Sequence, residues 1–319
     1  MERGNSTSVT EFVLLGLPNE TTAHAILFAG ILFLSITAVS GNCLLLFLIQ
    51  VDSALYTPMY FFLRQLSFMD LCLILAIVPK LLVGFVAQKK VISLAGCGAQ
   101  IFFIMTFGGA ECLLLTVMSY DRYVAICRPL QYSVIMSRRL CLITTVGIWL
   151  GASLNALIQT ISVMRLSYCR SNVVNHLFCE VPVLVKLSCS DTSVFETVVF
   201  ICSVLLLLIP SSIILASYVS ILSTILSMRS AKGRRKAFGT CSSHLTVVGL
   251  FFGAAIFMYM RPRSYHSPEQ DKIVSVFYTN VTSALNPLIY SLRNKDVLSV
   301  LRKLLRRRLM GRLGNRQRD

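Results

Sequence analysis

Residues 95–127 read AGCGAQIFFIMTFGGAECLLLTVMSYDRYVAIC, an almost unbroken apolar run that ends on an aspartate and an arginine side by side. A helix needs about 20 mainly apolar residues to cross a hydrocarbon core of about 30 Å, and this run exceeds that length. Six further windows qualify, so the spans lie at 23–51, 58–86, 95–127, 140–162, 195–227, 237–260 and 273–292. The composition agrees. Of 319 residues 55% are hydrophobic and only 14% are charged, with a mean hydropathy of +0.72. This is a membrane protein, all-α, folded as a seven-transmembrane helix bundle.

The net charge of +16 invites a nucleic-acid reading, but its placement argues for topology instead. One loop holds Arg122, Arg128, Arg138 and Arg139, another holds Arg229, Lys232, Arg234, Arg235 and Lys236, and the tail from Arg293 adds ten. That sets nineteen basic residues on one side against nine on the other. By the positive-inside rule the N-terminus is outside and the C-terminus cytosolic, at the plasma membrane. The basic face meets anionic membrane lipid, and no nucleic-acid partner is expected.

Residues 1–22 contain no basic-then-apolar run with a small-residue cleavage site, so no removable signal peptide is expected and span one serves as its own signal. Asn5-Ser6-Thr7 is a glycosylation sequon in this extracellular tail. Asn19-Glu20-Thr21 also matches but crowds the membrane, and Asn280-Val281-Thr282 falls inside span seven. The division is therefore a tail at 1–22, a bundle at 23–292 and a cytosolic tail at 293–319. That last segment places Val297, Leu298, Leu301, Leu304 and Leu305 at helical spacing opposite lysines and arginines, which predicts a short amphipathic helix on the inner leaflet.

There is no internal repeat and no extramembrane region large enough to be a domain, so function sits in the bundle and its loops. The longest loop, between spans four and five, carries Cys169, Cys179 and Cys189, and Cys97 opens span three. Four cysteines on an oxidising face read as two disulfides, with three pairings open. Cys97–Cys179 with Cys169–Cys189 is the set that ties the loop across the top of span three. The other seven cysteines read as small buried hydrophobes, and no spacing suggests a metal site.

Ionisable groups inside hydrocarbon are costly and count as functional candidates. Asp70 lies midway along span two, and Glu111 lies fourteen residues below Cys97, roughly 21 Å down span three. With Asn42 and Asn286 at hand, the two carboxylates form either a shared-proton or sodium-type cation site or a hydrogen-bonded polar plug.

"MSYDRYVAIC" at 118–127, continuing "RPLQY", closely resembles the span-three signature of olfactory receptors, a branch of the rhodopsin-like G protein-coupled receptors. Gly41-Asn42, "LYTPMYFFL" at 55–63, "KAFGTCSSHL" at 236–245 and "LNPLIYSLRN" at 285–294 resemble further motifs of that family, in the family's order. The short N-terminal tail resembles the tetrapod-type (class II) branch. Three features depart from the pattern: Ser283-Ala284 where Pro-Met is frequent, Phe252 where "FYG" is usual, and Asn280 in span seven.

The resemblance implies an odorant receptor that binds small volatile ligands and activates a stimulatory, olfactory-type heterotrimeric G protein to raise cAMP. Arg122 becomes the switch arginine, restrained by Asp121, with Tyr218, His244 and Tyr290 at the same level. On span three Ile104, Met105, Gly108, Gly109 and Cys112 share a face by helical spacing. Family analogy aims that face inward, toward Cys202, Ser203 and Leu206 of span five, Ala255, Ile256 and Tyr259 of span six, and Thr279 of span seven. Asn155 and Gln159 reach the edge, and Arg263 reads mainly as a solvated loop charge. A transporter or channel built on the intramembrane carboxylates is the alternative, disfavoured by the absence of repeated halves and of corresponding broken helices. No nucleophile, base and orienter assemble into an enzyme site.

Overall fold

The computed structural model describes residues 9–15, 21–86, 90–168, 172–260, 267–292 and 295–316. Its helices are α1 (Thr21–Val51), α2 (Pro58–Val86), α3 (Leu94–Cys127), α4 (Tyr132–Ile135), α5 (Arg138–Met164), α6 (Val181–Leu187), α7 (Ser193–Ser227), α8 (Ala231–Tyr259), α9 (Pro268–Val276), α10 (Thr282–Leu292) and α11 (Lys295–Arg316). A π-helical turn, Phe277–Val281, joins α9 to α10, so these three pieces form one helical run and the seventh crossing. Among the described residues α1, α2, α3, α5, α7 and α8 are each long and apolar enough to cross a membrane.

Contacts run α1 to α2, α2 to α3, α3 to α5 and α7, α7 to α8, α8 to α10, and α10 back to α1, which closes the bundle. α3 is the central post, touching α2, α5, α7 and α8. Large apolar side chains such as Ile26, Phe33, Leu150 and Leu215 face outward, each about two-thirds exposed. On a soluble protein such a surface would aggregate; in lipid it is the solvated face.

Inside, polar side chains join helices, as a medium without water requires. Asn42 Nδ2 donates to the carbonyls of Ala38 and of Ser283, each at 3.0 Å, tying α1 to α10. Beside it Gly41 lies so close to Pro287 that a Cβ there would meet the proline Cγ at 2.8 Å. Trp149 Nε1 donates to Gln65 Oε1 at 3.3 Å, linking α5 to α2. Helix starts are capped by serine hydroxyls: Ser93 accepts from Gly96 N, Ser137 from Leu140 N, and Ser230 from Gly233 N.

At the Cys97 end a small sheet covers the bundle, with β1 (Glu11–Leu14) between β2 (Val91–Ser93) and β3 (Val173–Val174). β1 runs antiparallel to β2, pairing Phe12 with Ile92, and parallel to β3, pairing Val13 with Val173. Phe12 is fully buried, its ring edge-on to Tyr168 at 5.1 Å. Burial pushes the Tyr168 phenol up to about 12, and its hydroxyl donates to Val163 O at 2.7 Å. Cys97 is disulfide-bonded to Cys179, holding the loop over α3. Cys189 is also disulfide-bonded, while Cys169 lies outside the described residues.

Several elements differ from the sequence expectation. α8 starts at Ala231 rather than 237, because the Ser230 cap lets the basic stretch AKGRRK extend the helix beyond its apolar part. The N-terminal tail contributes a paired strand, and the loop after Cys179 contains a helix, α6. α11 is a long helix of 22 residues rather than a short one. Its Val297 and Val300 are buried, and Leu301 and Leu304 pack against the bundle core, while Leu305 is half exposed. Lys303 meets Asp52 at 3.0 Å and Tyr60 donates to Asp296 at 3.3 Å, so α11 is latched to the α1–α2 turn.

Candidate functional site

Just below the disulfide lies a cavity of about 20 Å³, enough for roughly one water. α3 contributes Ile101, Ile104 and Met105, α5 contributes Gln159, and α7 contributes Val199 and Ser203, with Cys179 to Pro182 forming its loop wall. Of the sequence-predicted ligand residues Ile104, Met105 and Ser203 line it, and so does Gln159. The loop wall of Glu180, Val181 and Pro182 escaped the sequence reading; adjacency to Cys179 was the available signal, since the disulfide draws those residues inward.

Other expected residues sit elsewhere. Cys112 Sγ donates to the Leu206 carbonyl at 3.2 Å, closing α3 onto α7 where an opening was expected. Gly109 faces Ala152 of α5, with 3.7 Å to the position of an added Cβ, while Gly108 has nothing within 4 Å. Ile256 is 42% exposed and is not among the residues lining this cavity. Ala255 packs against the core, and Cys202 is half-buried without lining the cavity. Thr279 is buried and occupied, donating to Ser275 O at 2.6 Å and accepting from Asn280 at 3.1 Å. The Tyr259 side chain, Arg263, Asn5 and Asn19 lie outside the described residues.

Beside the cavity the loop and the seventh crossing meet through Glu180. Tyr278 donates to Glu180 Oε1 at 2.5 Å and Ser275 at 3.5 Å, while His176 Nε2 stands 3.9 Å from Oε2. Lys272 donates to Asn175 at 2.7 Å. The cavity wall is thus coupled to α9 and the π turn.

Halfway along the bundle Asn286 Nδ2 lies 3.0 and 3.3 Å from the Asp70 oxygens and 3.3 Å from Glu111 Oε1. Both carboxylates are buried. Asn42 donates to backbone carbonyls of Ala38 and Ser283. Among the described residues no three His, Cys, Asp or Glu side chains gather as a metal cluster would require.

At the far end Arg122 Nη2 lies 2.6 Å from Asp121 Oδ2, and Tyr132 donates to Asp121 Oδ1 at 2.8 Å. Burial first, and the Asp121 charge second, push the Tyr132 phenol up, so it remains a donor at neutral pH. The Tyr218 hydroxyl and His244 Nδ1 are hydrogen-bonded at 2.7 Å, with the two rings stacked at 5.8 Å. Tyr290 is buried among the core residues, its hydroxyl without a hydrogen-bond partner among the described residues. Tyr132 was the group that sequence reading missed: it lies eleven residues from Asp121, and only the turn after α3 folds it back.

A cavity lies at one end, an aspartate–arginine pair at the other, and one central helix, α3, carries residues of both. The olfactory receptor family model matches residues 31–308. Similar proteins include human olfactory receptor 2T11, 54% identical over 94% of this chain and 95% of its own, and human olfactory receptor 2T8, 52% identical over 96% and 98%. Mouse olfactory receptor 2V1 is 51% identical over 96% and 98%. The chain belongs to the olfactory receptor family, and it is a multi-pass G protein-coupled receptor rather than an enzyme. The transporter or channel alternative is not supported.

Proposed function

We propose that small volatile odorants bind in the cavity beneath the Cys97–Cys179 disulfide and that the receptor activates a stimulatory, olfactory-type G protein, raising cAMP. The observation that carries this reading is the continuity of α3. Ile104 and Met105 line the cavity, and Arg122 on the same helix closes the lock. Room for about one water is far too little for an odorant, so binding selects an expanded bundle. Expansion moves α3 relative to α7 and α8, and the Asp121–Arg122 pair opens to admit a G protein segment. The orientation belongs to the same proposal: N-terminus outside with a glycan on Asn5, C-terminus cytosolic, supported by the nineteen-to-nine bias in basic residues.

Asp70 and Glu111 share one amide donor and need a proton or a sodium ion between them. Either occupant favours one bundle arrangement and tunes potency. The test is a broad odorant panel on cells with confirmed surface receptor, read as cAMP with and without a stimulatory G protein. Ligand-driven cAMP that requires the G protein is expected; a ligand-driven current without G protein would overturn the proposal.

A further inference from the structure

The cavity's polar lining is unbalanced. Among the described residues its polar side chains are Gln159, Glu180 and Ser203, and no lysine, arginine or histidine lines it. Gln159 is only 6% exposed and Glu180 7%, so both are largely withdrawn from bulk solvent. Gln159 Nε2 donates to Asn155 Oδ1 at 3.1 Å, whereas its Oε1 is buried with no hydrogen-bond partner among the described residues. Glu180 Oε1 already accepts from Tyr278 and Ser275, and the His176 ring stands 3.9 Å from Oε2, beyond hydrogen-bond length. One unpartnered buried acceptor and one carboxylate therefore belong to residues lining the same small apolar hole. A buried acceptor without a donor costs about 1–3 kcal/mol, which a ligand that donates to it recovers.

Resting on the proposed odorant cavity, we infer that the ligand class has a hydrogen-bond-donating head on a short aliphatic body, a primary alcohol or a protonated primary amine. Ligands whose heads only accept, such as ketones and ethers, leave Gln159 Oε1 unpaired and offer the Glu180 carboxylate no donor. Carboxylates add repulsion from Glu180. Selection by unpaired polar groups is stronger than selection by one methylene, so head group outranks chain length. Ser203 accepts or donates, and so does not discriminate. The apolar side of the hole is Ile101, Ile104 and Val199 with Met105, whose flexible side chain makes room for the body.

The experiment compares hexanol, hexylamine, 2-heptanone, methyl pentyl ether and hexanoate as cAMP dose-responses at matched surface level, alongside a broad odorant panel. Donor heads are expected to be about tenfold or more stronger than the ketone and the ether, with hexanoate weakest. Gln159→Leu should erase most of that margin, and Glu180→Gln should weaken the amine more than the alcohol. Equal or greater potency of the ketone or ether overturns the inference, as does a margin that survives both substitutions. Should both variants fail to reach the surface, the wild-type ranking still decides. If the panel drives cAMP without any preference for donors, the ligand class is wrong and the odorant cavity stands. Silence to every compound at confirmed surface level removes both.

Discussion

Asp121 holds two partners, and they separate two kinds of information in the chain. The Asp121–Arg122 pair is readable in sequence, because charge at the end of an apolar span is costly and needs a reason. The Tyr132 bond is not, since it depends on how residues 128–136 turn back under α3. Tyr132→Phe removes a hydrogen bond to a charged group, a kind of contact that contributes about 1.5–3 kcal/mol. Basal cAMP should therefore rise severalfold at equal surface level, and an unchanged basal signal would show that the phenol does not restrain Asp121. Arg122→Ala should have the opposite signature: normal surface level with agonist-driven cAMP lost, whereas full signalling would remove the arginine from the switch. The two glycines of α3 divide in the same way. Helical spacing put both on one face, yet Gly109 seats Ala152 and Gly108 stands beside open space. Gly109→Leu should force α5 away and lower surface expression with all ligands affected alike, while Gly108→Leu should leave expression near normal. Equal loss in both variants would contradict that division.

Elements were legible where length and polarity alone determine them. An apolar run longer than the membrane is thick has one outcome, and α1, α2, α3, α5 and α7 lie within a few residues of the windows read from sequence. Elements set by long-range partners were not legible. β1 is four residues long, with partners about 80 and 160 positions away, so nothing local announces it. The π turn of the seventh crossing was also unannounced, and it carries buried Thr279 and Asn280. Ser35 donates to Asn280 Oδ1 at 3.4 Å, which gives the unusual asparagine a place in the α1 contact. Gly41 shows how element packing constrains one residue. Its added Cβ would meet the rigid Pro287 ring at 2.8 and 3.1 Å, so α1 or α10 must shift. Gly41→Ala should cost about 1–3 kcal/mol through overpacking, despite alanine's better helix propensity. Thermal unfolding of the purified receptor reads this directly; a stability at or above wild type would mean that the helices part freely.

At the scale of the molecule the Cys97 end of the bundle is closely packed for an identifiable reason. Phe12 is buried in a cluster with Tyr168, Ile92, Cys97 and Cys179, and that cluster also contains Ile101 and Val181, two walls of the cavity. The phenyl ring of the N-terminal strand thus packs in the cluster behind the cavity wall and is not itself part of the lining. Phe12→Ala removes that packing, a change that costs about 3–5 kcal/mol in well-packed cores. Because the loss falls on the covering sheet, it should weaken ligand potency by about tenfold or more while the Asp121–Arg122 lock keeps its resting behaviour. Phe12→Leu should recover most of the potency, since it refills the volume without restoring the edge-on contact with Tyr168. Dose-response curves and basal cAMP measured together on the two variants decide the matter. A rise in basal signal in Phe12→Ala would mean that the sheet also holds the resting state, and potency equal to wild type would mean that the disulfide alone supports the cavity.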